Sequence, residues 1–217
     1  MEIHNLSENN SLLNNFIKEI RDVKIQKDPL RFRRNMERIG EVMAYEISKT
    51  LAYEKEEVTT PLGIAPTHVV SDQIVLSTVF RAGLPFHQGF LNYFDKAENA
   101  FVSAYRRYKE DALNFEVLVE YIAAPSIEGK TLIIVDPMLA SGSSMELAYK
   151  ALLQRGNPKH IHVASVIASK AGVDYVKEHF SDNVTIWTGA IDPTLNEHSY
   201  IVPGLGDAGD LAFGSKI

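Results

Sequence analysis

One stretch of the sequence decides the fold, and it reads Thr131-Leu-Ile-Ile-Val-Asp-Pro-Met-Leu-Ala-Ser-Gly-Ser-Ser144. Its apolar run predicts a buried strand that ends at Asp136, and the small residues after it predict a loop. From Ser144 an amphipathic pattern predicts a helix that closes at Gly156. Because loop N–H groups and the positive end of a helix dipole both attract anions, this unit predicts a phosphate site. Asp136 adds a partner for sugar hydroxyls or for a metal ion.

The same residues also fit a plainer interpretation, an ordinary turn between a strand and a helix. Asp136 would then lie on the surface, and the serines would serve as caps of the helix. Two nucleotide motifs are excluded, since the sequence has no Gly-Lys-Ser or Gly-Lys-Thr and no Gly-x-Gly-x-x-Gly after a strand. The stretch alone leaves the phosphate site and the plain turn both open.

A second informative segment runs from Asn196 to Lys216 and is rich in glycine. It has too many glycines for the interior of a helix or strand and is too apolar for a flexible linker. Its small residues would let backbone N–H and C=O groups approach a flat ligand, such as a nucleobase that offers a donor between two acceptors. A frayed chain end is the alternative. Apolar anchors argue against fraying: Tyr200, Ile201, Leu205 and Phe213.

Apolar runs predict six strands, and amphipathic patterns predict helices between several of them. The strands are expected near Gln73–Phe80, Ala100–Ala104, Glu116–Tyr121, Thr131–Asp136, Ile161–Ile167 and Val184–Ala190, and the helices near Pro85–Glu98, Ser144–Arg155 and Ala171–Phe180. This alternation predicts a mostly parallel sheet with helices on both faces. Ligands of open α/β sheets bind beyond the carboxyl ends of the strands. Charged residues follow the predicted strands at that edge: Arg81, Arg106 with Arg107, Asp136, Lys170 and Asp192.

Two helical segments are expected before the sheet. The second should begin with Asp28 as its N-cap and Pro29 in its first turn. Apolar residues at helical spacing then mark one face of it: Phe32, Met36, Ile39, Met43 and Ile47. This stripe predicts packing in the core or an interface between copies of the chain. From Glu57 to Asp72, prolines and a glycine interrupt β-branched runs, which predicts a hairpin or an irregular arm.

Together, the two informative segments resemble those of the uracil phosphoribosyltransferases. The phosphate loop of that family usually reads Val-Asp-Pro-Met-Leu-Ala-Thr-Gly-Gly-Ser, and the stretch from Val135 to Ser144 differs from it only at Ser141 and Ser143. The base segment of the family, Asn-Glu-His-Gly-Tyr-Ile-x-Pro-Gly-Leu-Gly-Asp-Ala-Gly-Asp, is matched from Asn196 onward with a serine at position 199. The resemblance covers nearly the whole chain.

The resemblance implies an α/β fold: a Rossmann-like phosphoribosyltransferase core with a mostly parallel sheet flanked by helices, plus a small hood over the base. Residues 1–217 would form a single domain, with the core at roughly 69–190 and the hood built from the arm at 52–72 and the segment 191–217. No internal repeat and no long linker divides the chain.

The resemblance also implies a pentosyltransferase that forms UMP and diphosphate from uracil and 5-phospho-α-D-ribose 1-diphosphate (phosphoribosyl diphosphate), as in pyrimidine salvage. The residues implied as catalytic are Arg81, Arg106, Asp136 and Asp207. Those implied for phosphoribosyl diphosphate are Arg81, Arg106, Asp136, Pro137, Met138, Leu139, Ala140, Ser141, Gly142, Ser143, Ser144 and Asp207. Those implied for uracil are Tyr200, Ile201, Gly206, Asp207 and Ala208. Mg²⁺ is the expected cofactor, held mainly by substrate oxygens and water rather than by protein ligands.

The chain departs from the family pattern around its phosphate loop. Ser143 places a Cβ where the family has glycine, and if this position required φ > 0, strain of about 1–2 kcal/mol would weaken phosphate binding. Ser141 keeps the hydroxyl of the usual threonine, so this change should be mild. After the next strand, Ala168-Ser-Lys-Ala-Gly172 stands in place of the family's Ala-Pro-Glu-Gly. In the base segment, His198 is expected to order the chain rather than to act as a general base, and Tyr200 either covers the base or packs the hood.

The composition fits an ordinary globular enzyme of the cytoplasm. At 217 residues, with 45% hydrophobic and 23% charged residues, the chain can bury the core of one domain. It has no cysteine, which excludes disulfides and a cysteine nucleophile. Neither a signal peptide nor a membrane span is expected, because no suitable apolar run occurs. A net charge of −6 argues against nonspecific binding of nucleic acid.

Two alternative functions stay open. A phosphoribosyltransferase fold can serve as a nucleotide sensor that binds RNA or DNA, although the acidic balance of the chain argues against this. Another base, such as a purine, could be the acceptor, although the intact segment from Tyr200 to Asp210 argues for uracil. Because the family often forms dimers or larger assemblies, a homo-oligomer is expected. GTP is a candidate effector because it activates some relatives.

Overall fold

The elements of the fold are given by a computed structural model, which describes the backbone of residues 1–108 and 115–215 and their side chains except those of 104–108 and 115–120. In chain order they are β1 (Glu2–Asn5), a short 3-10 helix (Leu6–Glu8), α1 (Leu12–Arg21), α2 (Pro29–Ser48), β2 (Tyr53–Thr60), β3 (Gly63–Val70), β4 (Ile74–Phe80), α3 (Gly83–Leu91), β5 (Glu98–Tyr108), β6 (Phe115–Ala123), β7 (Thr131–Val135), β8 (Met138–Leu139), α4 (Ser143–Leu153), β9 (His160–Ser169), α5 (Lys170–His179), β10 (Val184–Asp192), β11 (Thr194–Leu195), β12 (Ile201–Val202) and α6 (Ala208–Phe213).

Eight of the described strands form the central sheet, in the order β1-β10-β9-β7-β4-β5-β6, with the short β8 also paired to β9. All of these pairs are parallel except that of β5 with β6. The predicted mostly parallel sheet flanked by helices is confirmed. Because β4 and β7 are parallel neighbours, their carboxyl ends meet at one edge, and Arg81 and Asp136 follow them there.

Each of the six predicted strands is present, but other details differ from the sequence predictions. The helix expected at Pro85–Glu98 ends at Leu91, and the N–H of Asn92 donates to the carbonyls of Gln88 and Phe90 in its last turn. The strand expected at Ala100–Ala104 continues to Tyr108, so Arg106 and Arg107 lie within β5 rather than after it. The edge strand β1 was not predicted, because four residues are too few for an alternating pattern to be recognised.

The apolar stripe of α2 is buried in the protein's own core. Asp28 Oδ1 accepts hydrogen bonds from the N–H groups of Leu30 and Arg31, and Pro29 begins the helix, as the sequence predicts. The stripe residues from Phe32 to Ile47 are at most 1% exposed and pack with residues of α1, α3 and one face of the sheet. Core packing is therefore confirmed, and the alternative that this stripe forms an interface between copies is wrong.

Helices α4 and α5 cover the opposite face of the sheet. Met145, Ala148 and Leu152 of α4, and Val173 and Val176 of α5, are buried against the strands β7 and β9. The sheet is thus enclosed on both faces, which leaves its carboxyl edge as the accessible side for a ligand. Within the described part of the chain, no helix is both long and apolar enough to cross a membrane.

Strands β2 and β3 form an antiparallel hairpin that pairs with no other described strand. Nearly all of its residues are exposed. At its base, the N–H of Ser71 donates to the carbonyl of Ala52 at 2.9 Å, and the Asp72 carboxylate accepts from the N–H of Ala52 at 2.9 Å. None of the hairpin residues lines the cavity at the strand ends. The assignment of this arm to a hood stays a prediction.

Histidine rings and one tryptophan pack together across β1 and two other strands of the central sheet, β9 and β10. His162, which is 2% exposed, accepts a hydrogen bond at Nδ1 from Trp187 Nε1 at 3.0 Å. His4 of β1 stacks on Trp187 with ring centroids 3.9 Å apart, and the ring of His160 lies 4.6 Å from that of His162. Burial, followed by the neighbouring histidines, lowers the pKa of His162 to about 3. His162 therefore stays neutral in the folded protein well below the pH at which it would be protonated in the unfolded chain.

Stability should fall in acid in part through His162. An unfolded histidine binds a proton below about pH 6.5, whereas folded His162 does so only near its pKa of about 3. Between these values the unfolded state holds more protons, so the stabilisation is complete above about pH 6.5 and is lost as the pH falls. In His162→Gln the free energy of unfolding, measured by thermal unfolding, should vary less steeply with pH than in wild type, by up to about 1.4 kcal/mol per pH unit. His68→Gln, on the exposed hairpin, is the control, and equal slopes for His162→Gln and wild type would contradict this assignment.

Candidate active site

A cavity of about 580 Å³ opens at the carboxyl ends of β4 and β7. The end of β4 supplies Arg81, the end of β7 supplies Asp136, and the opposite wall comes from the C-terminal segment between Ser199 and Gly209. The two segments that the sequence singles out, far apart in the chain, therefore meet at one site. The full lining is Val79, Phe80, Arg81, Ala82, Ser103, Asp136, Met138, Ala140, Ser144, Ser199, Tyr200, Ile201, Gly206, Asp207, Ala208 and Gly209.

The loop between β7 and α4 forms one side of this cavity. Asp136 Oδ1 accepts a hydrogen bond from the N–H of Met138 at 3.2 Å, which fixes the first turn of the loop. The loop ends at Gly142, whose φ of 86° lies in the left-handed region, and α4 begins at the next residue. A smaller cavity of about 30 Å³ adjoins the main one and shares Met138, Ala140 and Ser144 with it. The predicted strand, loop and helix are confirmed, and Ser144 in the first turn of α4 lines both cavities.

The start of α5 supports this loop from behind. Ser169 Oγ donates to the carbonyl of Ala140 at 2.5 Å and accepts from the N–H of Gly172 at 2.9 Å. A Cβ at Gly172 would lie 2.4 Å from the carbonyl oxygen of Ala140, so only glycine fits there. Tyr175 packs against Gly142, and its hydroxyl donates to Glu146 at 2.7 Å. Sequence reasoning missed this support, although the unusual residues at 169–172 were a signal.

The strain expected at Ser143 is absent. The left-handed conformation lies one residue earlier, at Gly142, and Ser143 is the first residue of α4. Ser199 is the one non-glycine residue in the described part of the chain with a positive φ, at 60°, and it too stands where the family has glycine. The condition under which Ser143 would weaken phosphate binding through strain is therefore not met. Its hydroxyl instead lies 2.9 Å from that of Ser141, within hydrogen-bond distance.

Replacing Ser143 by glycine should not tighten binding of phosphoribosyl diphosphate. Because the backbone is helical at this position, the substitution relieves no strain and costs up to about 0.5 kcal/mol of helix stability relative to serine. We expect KM for phosphoribosyl diphosphate in Ser143→Gly to equal or exceed that of wild type, with a lower melting temperature. Ser143→Ala separates loss of the hydroxyl from loss of the Cβ. A KM several-fold below wild type in Ser143→Gly alone would contradict the observed conformation.

Arg81 connects the strand ends to the C-terminal helix α6. Its Nη2 donates to Asp210 Oδ1 at 3.1 Å, and both of its Nη atoms lie 3.4 Å from the carbonyl oxygen of Gly214. Both side chains of this ion pair are more than a third exposed, so the pair adds little to stability. A guanidinium has five N–H donors, which an anion in the cavity and Asp210 can share. Asp210 does not line the cavity, but it is a partner of Arg81 that sequence reasoning did not identify.

The segment opposite Asp136 is ordered by its own hydrogen bonds. Strands β11 and β12 pair across a turn in which Asn196 Oδ1 accepts from the N–H groups of His198 and Tyr200, at 3.0 and 2.9 Å. Asp207 then caps α6 by accepting from the N–H of Asp210 at 3.0 Å. These bonds hold the backbone on both sides of Gly206 against the cavity.

The sequence left the roles of His198 and Tyr200 open, and only Tyr200 lines the cavity. The side chain of His198 is 62% exposed, lies beside Glu197 and does not line the cavity. Tyr200, which is 39% exposed, lines the cavity at the edge of its wall. A general base at position 198 is therefore not supported, whereas Tyr200 faces the cavity.

Most of the residues predicted for the site lie together. Those that line the main cavity are Arg81, Asp136, Met138, Ala140, Ser144, Tyr200, Ile201, Gly206, Asp207 and Ala208. Leu139, Ser141 and Gly142 line the smaller cavity, while Pro137 and Ser143 line neither. Arg106 lies in β5 opposite Val117, and its side chain falls outside the described part of the structure. Within that part, no group of three or more His, Asp or Glu side chains is placed to hold a metal ion.

Comparisons with known proteins show that this chain is similar to uracil phosphoribosyltransferases. A family model described as uracil phosphoribosyltransferase matches residues 7–215. A protein of Porphyromonas gingivalis named uracil phosphoribosyltransferase is 66% identical over 217 residues, which cover 100% of both chains. The solved structure of the AQ2163 protein from Aquifex aeolicus has a TM-score of 0.86 and 29% identity, covering 99% of both chains. A hypoxanthine phosphoribosyltransferase from Staphylococcus aureus, with a TM-score of 0.50 and 13% identity, covers 86% of this chain and 83% of its own, which shows a shared fold alone.

Proposed function

Because the chain belongs to the uracil phosphoribosyltransferase family, we propose that it transfers the phosphoribosyl group of phosphoribosyl diphosphate to uracil, forming UMP and diphosphate in pyrimidine salvage. One observation carries the proposal: a single cavity is lined both by the strand-end residues Arg81 and Asp136 and by the C-terminal segment from Tyr200 to Gly209. The first set suits a phosphorylated sugar, and the second suits a flat base. A reaction that joins the two needs both in one cavity.

The 5-phosphate is proposed to bind between the loop and the start of α4. The N–H groups from Leu139 to Ser144 and the positive end of the α4 dipole would face its negative charge. The hydroxyls of Ser141 and Ser144 add donors at the cavities. The hydroxyl of Ser143, which lines neither cavity, lies within hydrogen-bond distance of that of Ser141 and would support it. No lysine is needed in such a cradle, because the donors are backbone groups.

The ribose and the diphosphate are proposed to lie beside Asp136 and Arg81. The carboxylate of Asp136 would accept hydrogen bonds from the ribose hydroxyls, while its Oδ1 keeps the N–H of Met138. The guanidinium of Arg81, with that of Arg106, would face the diphosphate, since a planar fork matches phosphate oxygens better than an ammonium does. Asp210 supports this role of Arg81 by holding the guanidinium at the cavity wall.

The donor set of the cavity fits a magnesium ion bound mainly through the substrate. Asp136 and Asp207 supply two carboxylates at the wall, and Mg²⁺ is commonly held by one or two carboxylates together with water and substrate phosphates. When bound, Mg²⁺ would neutralise the charge of the diphosphate. The protein's own part is to present these carboxylates and to place Arg81 beside them.

Uracil is proposed to be recognised by backbone groups of Ile201, Gly206 and Ala208. Uracil presents an N–H donor between two carbonyl acceptors, a pattern that backbone C=O and N–H groups can match. Cytosine presents a different pattern, so polar groups of the site would stay unpaired and binding would be weak. Tyr200 and Asp207 both line the cavity. Tyr200 would cover the face of the base, and Asp207 would reach toward the phosphoribosyl side.

The chemical step is proposed to depend on electrostatic stabilisation. The bond from ribose C1 to diphosphate oxygen breaks as the bond from C1 to uracil N1 forms, and the proton of N1 passes to the departing diphosphate or to water. Positive charge develops on the ribose and negative charge on the diphosphate, so Asp136 stabilises the first and Arg81 the second. Preorganised charges of this kind need no covalent nucleophile.

Three further expectations stay predictions of this proposal: action in the cytoplasm, assembly into a homo-oligomer, and activation by GTP. An interface would need a surface other than the buried stripe of α2. Exposed apolar residues that could contribute include Tyr45, Leu62, Ile64 and Tyr93.

The proposed reaction is tested by assaying the purified protein with Mg²⁺ and phosphoribosyl diphosphate, offering uracil, hypoxanthine and adenine separately. We expect UMP and diphosphate in equal amounts with uracil and no nucleotide with either purine. If a purine is converted instead, that purine rather than uracil is the acceptor. If no base reacts, with or without added GTP, and RNA binds tightly with strong salt dependence in a filter assay, the nucleotide-sensor alternative would hold instead.

A further inference from the structure

An ion pair outside the cavity holds the chain at Gly204, inside the segment proposed to bind the base. Both Nη atoms of Arg21 donate to the carboxylate of Asp192, at 2.8 and 2.9 Å. Arg21 Nη1 also donates to the carbonyl of Gly204 at 3.2 Å, and the N–H of Gly204 donates to Asp192 Oδ2 at 2.9 Å. The same ion pair therefore satisfies both backbone polar groups of Gly204.

The ion pair is anchored on two rigid elements. Arg21 ends α1, a helix whose Leu13, Ile17 and Ile20 are buried in the core. Asp192 ends β10, which lies within the central sheet, and is only 6% exposed. Because α1 packs in the core and β10 belongs to the central sheet, the ion pair fixes the position of Gly204 relative to the sheet.

Gly204 lies between the residues proposed to read uracil. Ile201 precedes it and Gly206 follows it, and both line the cavity. At Gly204 the chain turns with φ of 57°, and a Cβ there would lie 2.0 Å from the carbonyl oxygen of Ile201. A shift of this turn would displace the backbone on both sides, and with it the donors and acceptors that face the base.

We infer that Arg21 and Asp192 are positioning residues for the base, acting through the backbone of Gly204 rather than by touching the substrate. Neither residue lines the cavity. The inference rests on the proposed function, because it concerns how uracil is held in that reaction. The phosphate loop is held separately, by Ser169 and Gly172 of the opposite face. Loss of the ion pair should therefore weaken uracil binding and leave binding of phosphoribosyl diphosphate nearly unchanged.

A second arginine–carboxylate pair, which also involves α1, provides a matched control. Arg31 of α2 donates through Nε and Nη2 to Glu19 of α1, at 2.7 Å each, and its hydrogen bonds lower the pKa of Glu19 to about 2. This pair also joins α1 to a neighbouring element by a bidentate contact, but it does not touch the C-terminal segment. Arg31→Gln thus removes a comparable contact without affecting Gly204.

The test compares Arg21→Gln with Arg31→Gln and wild type in steady-state kinetics with each substrate varied. We expect KM for uracil to rise about tenfold or more in Arg21→Gln, because a displacement of about 1 Å in a binding group can cost up to about 100-fold. KM for phosphoribosyl diphosphate should stay within about twofold of wild type, and Arg31→Gln should leave both constants unchanged. Arg21→Lys, which keeps the charge but lacks the fork, should give an intermediate KM for uracil.

The outcomes separate the inference from the proposed function. If wild type does not convert uracil, the proposed function fails whatever the variants do. If wild type is active and folded Arg21→Gln keeps its KM for uracil, or if both substrates weaken equally, the positioning role is overturned. Should Arg21→Gln fail to fold, Arg21→Lys and Asp192→Asn decide in the same assay: a selective rise in KM for uracil supports the role, and an unchanged or unselective one overturns it.

Discussion

Replacing Asp136 by asparagine is expected to lower kcat/KM for phosphoribosyl diphosphate by about 100- to 1,000-fold, the usual loss when one preorganised charge at a reacting centre is removed. Asparagine keeps an oxygen that can accept from the N–H of Met138, a bond of 3.2 Å in the structure, so the loop should hold its shape. What is lost is the negative charge at the end of β7, beside the ribose that becomes positive. Most of the loss should therefore appear in kcat.

Asp182→Asn is the control, since Asp182 is exposed and lies outside the cavity. Its kinetic constants should match those of wild type. Thermal unfolding of Asp136→Asn should lie close to that of wild type, which separates loss of chemistry from loss of fold. An Asp136→Asn protein that is folded and retains full activity would exclude a role for this carboxylate in the reaction.

Replacing Gly172 by alanine is expected to raise KM for phosphoribosyl diphosphate by about 10- to 100-fold, because misplacing a binding group by about 1 Å has effects of this size. The new Cβ would lie 2.4 Å from the carbonyl oxygen of Ala140 and 2.6 Å from that of Leu139. Both are backbone atoms of the phosphate loop, so either the loop or the start of α5 must move. The hydrogen bonds of Ser169 to Ala140 and Gly172 would be lost with that movement.

Ala171→Ser tests the neighbouring, exposed position of the same helix and should have no effect on either substrate. KM for uracil should change little in Gly172→Ala, since the C-terminal segment is anchored through Arg21 and Asp192 instead. A Gly172→Ala protein with normal affinity for phosphoribosyl diphosphate would show that α5 does not control the loop.

The parts of the fold that could be predicted are those determined by residues that are close together in the sequence. The apolar runs gave the strands, since burial on both faces of a parallel sheet requires uninterrupted apolar residues. The N-cap of α2 was visible because Asp28 and Pro29 are adjacent to the helix that they begin. The phosphate loop was visible because the strand, the small residues and the helix follow one another within one stretch.

The parts that could not be predicted depend on contacts between distant residues. Arg21 and Asp192 are 171 positions apart, and Arg81 and Asp210 are 129 apart, so no periodicity or local motif pairs them. The four-residue strand β1 forms only because β10 offers its edge for parallel pairing. Whether Ser143 is left-handed stayed a condition, because a sequence does not show at which residue of a loop the chain becomes left-handed; the structure places that conformation at Gly142.

The ratio of kcat/KM for uracil to that for cytosine, measured on the wild-type protein with saturating phosphoribosyl diphosphate and Mg²⁺, tests the proposed site most directly. The cavity is proposed to read the base through backbone groups of Ile201, Gly206 and Ala208, whose donors and acceptors would be left unpaired by cytosine. We predict a ratio on the order of 10⁴, the discrimination typical of sites that match hydrogen-bonding groups. Comparable rates with the two bases, or no UMP formed from uracil, would contradict uracil recognition by the C-terminal segment.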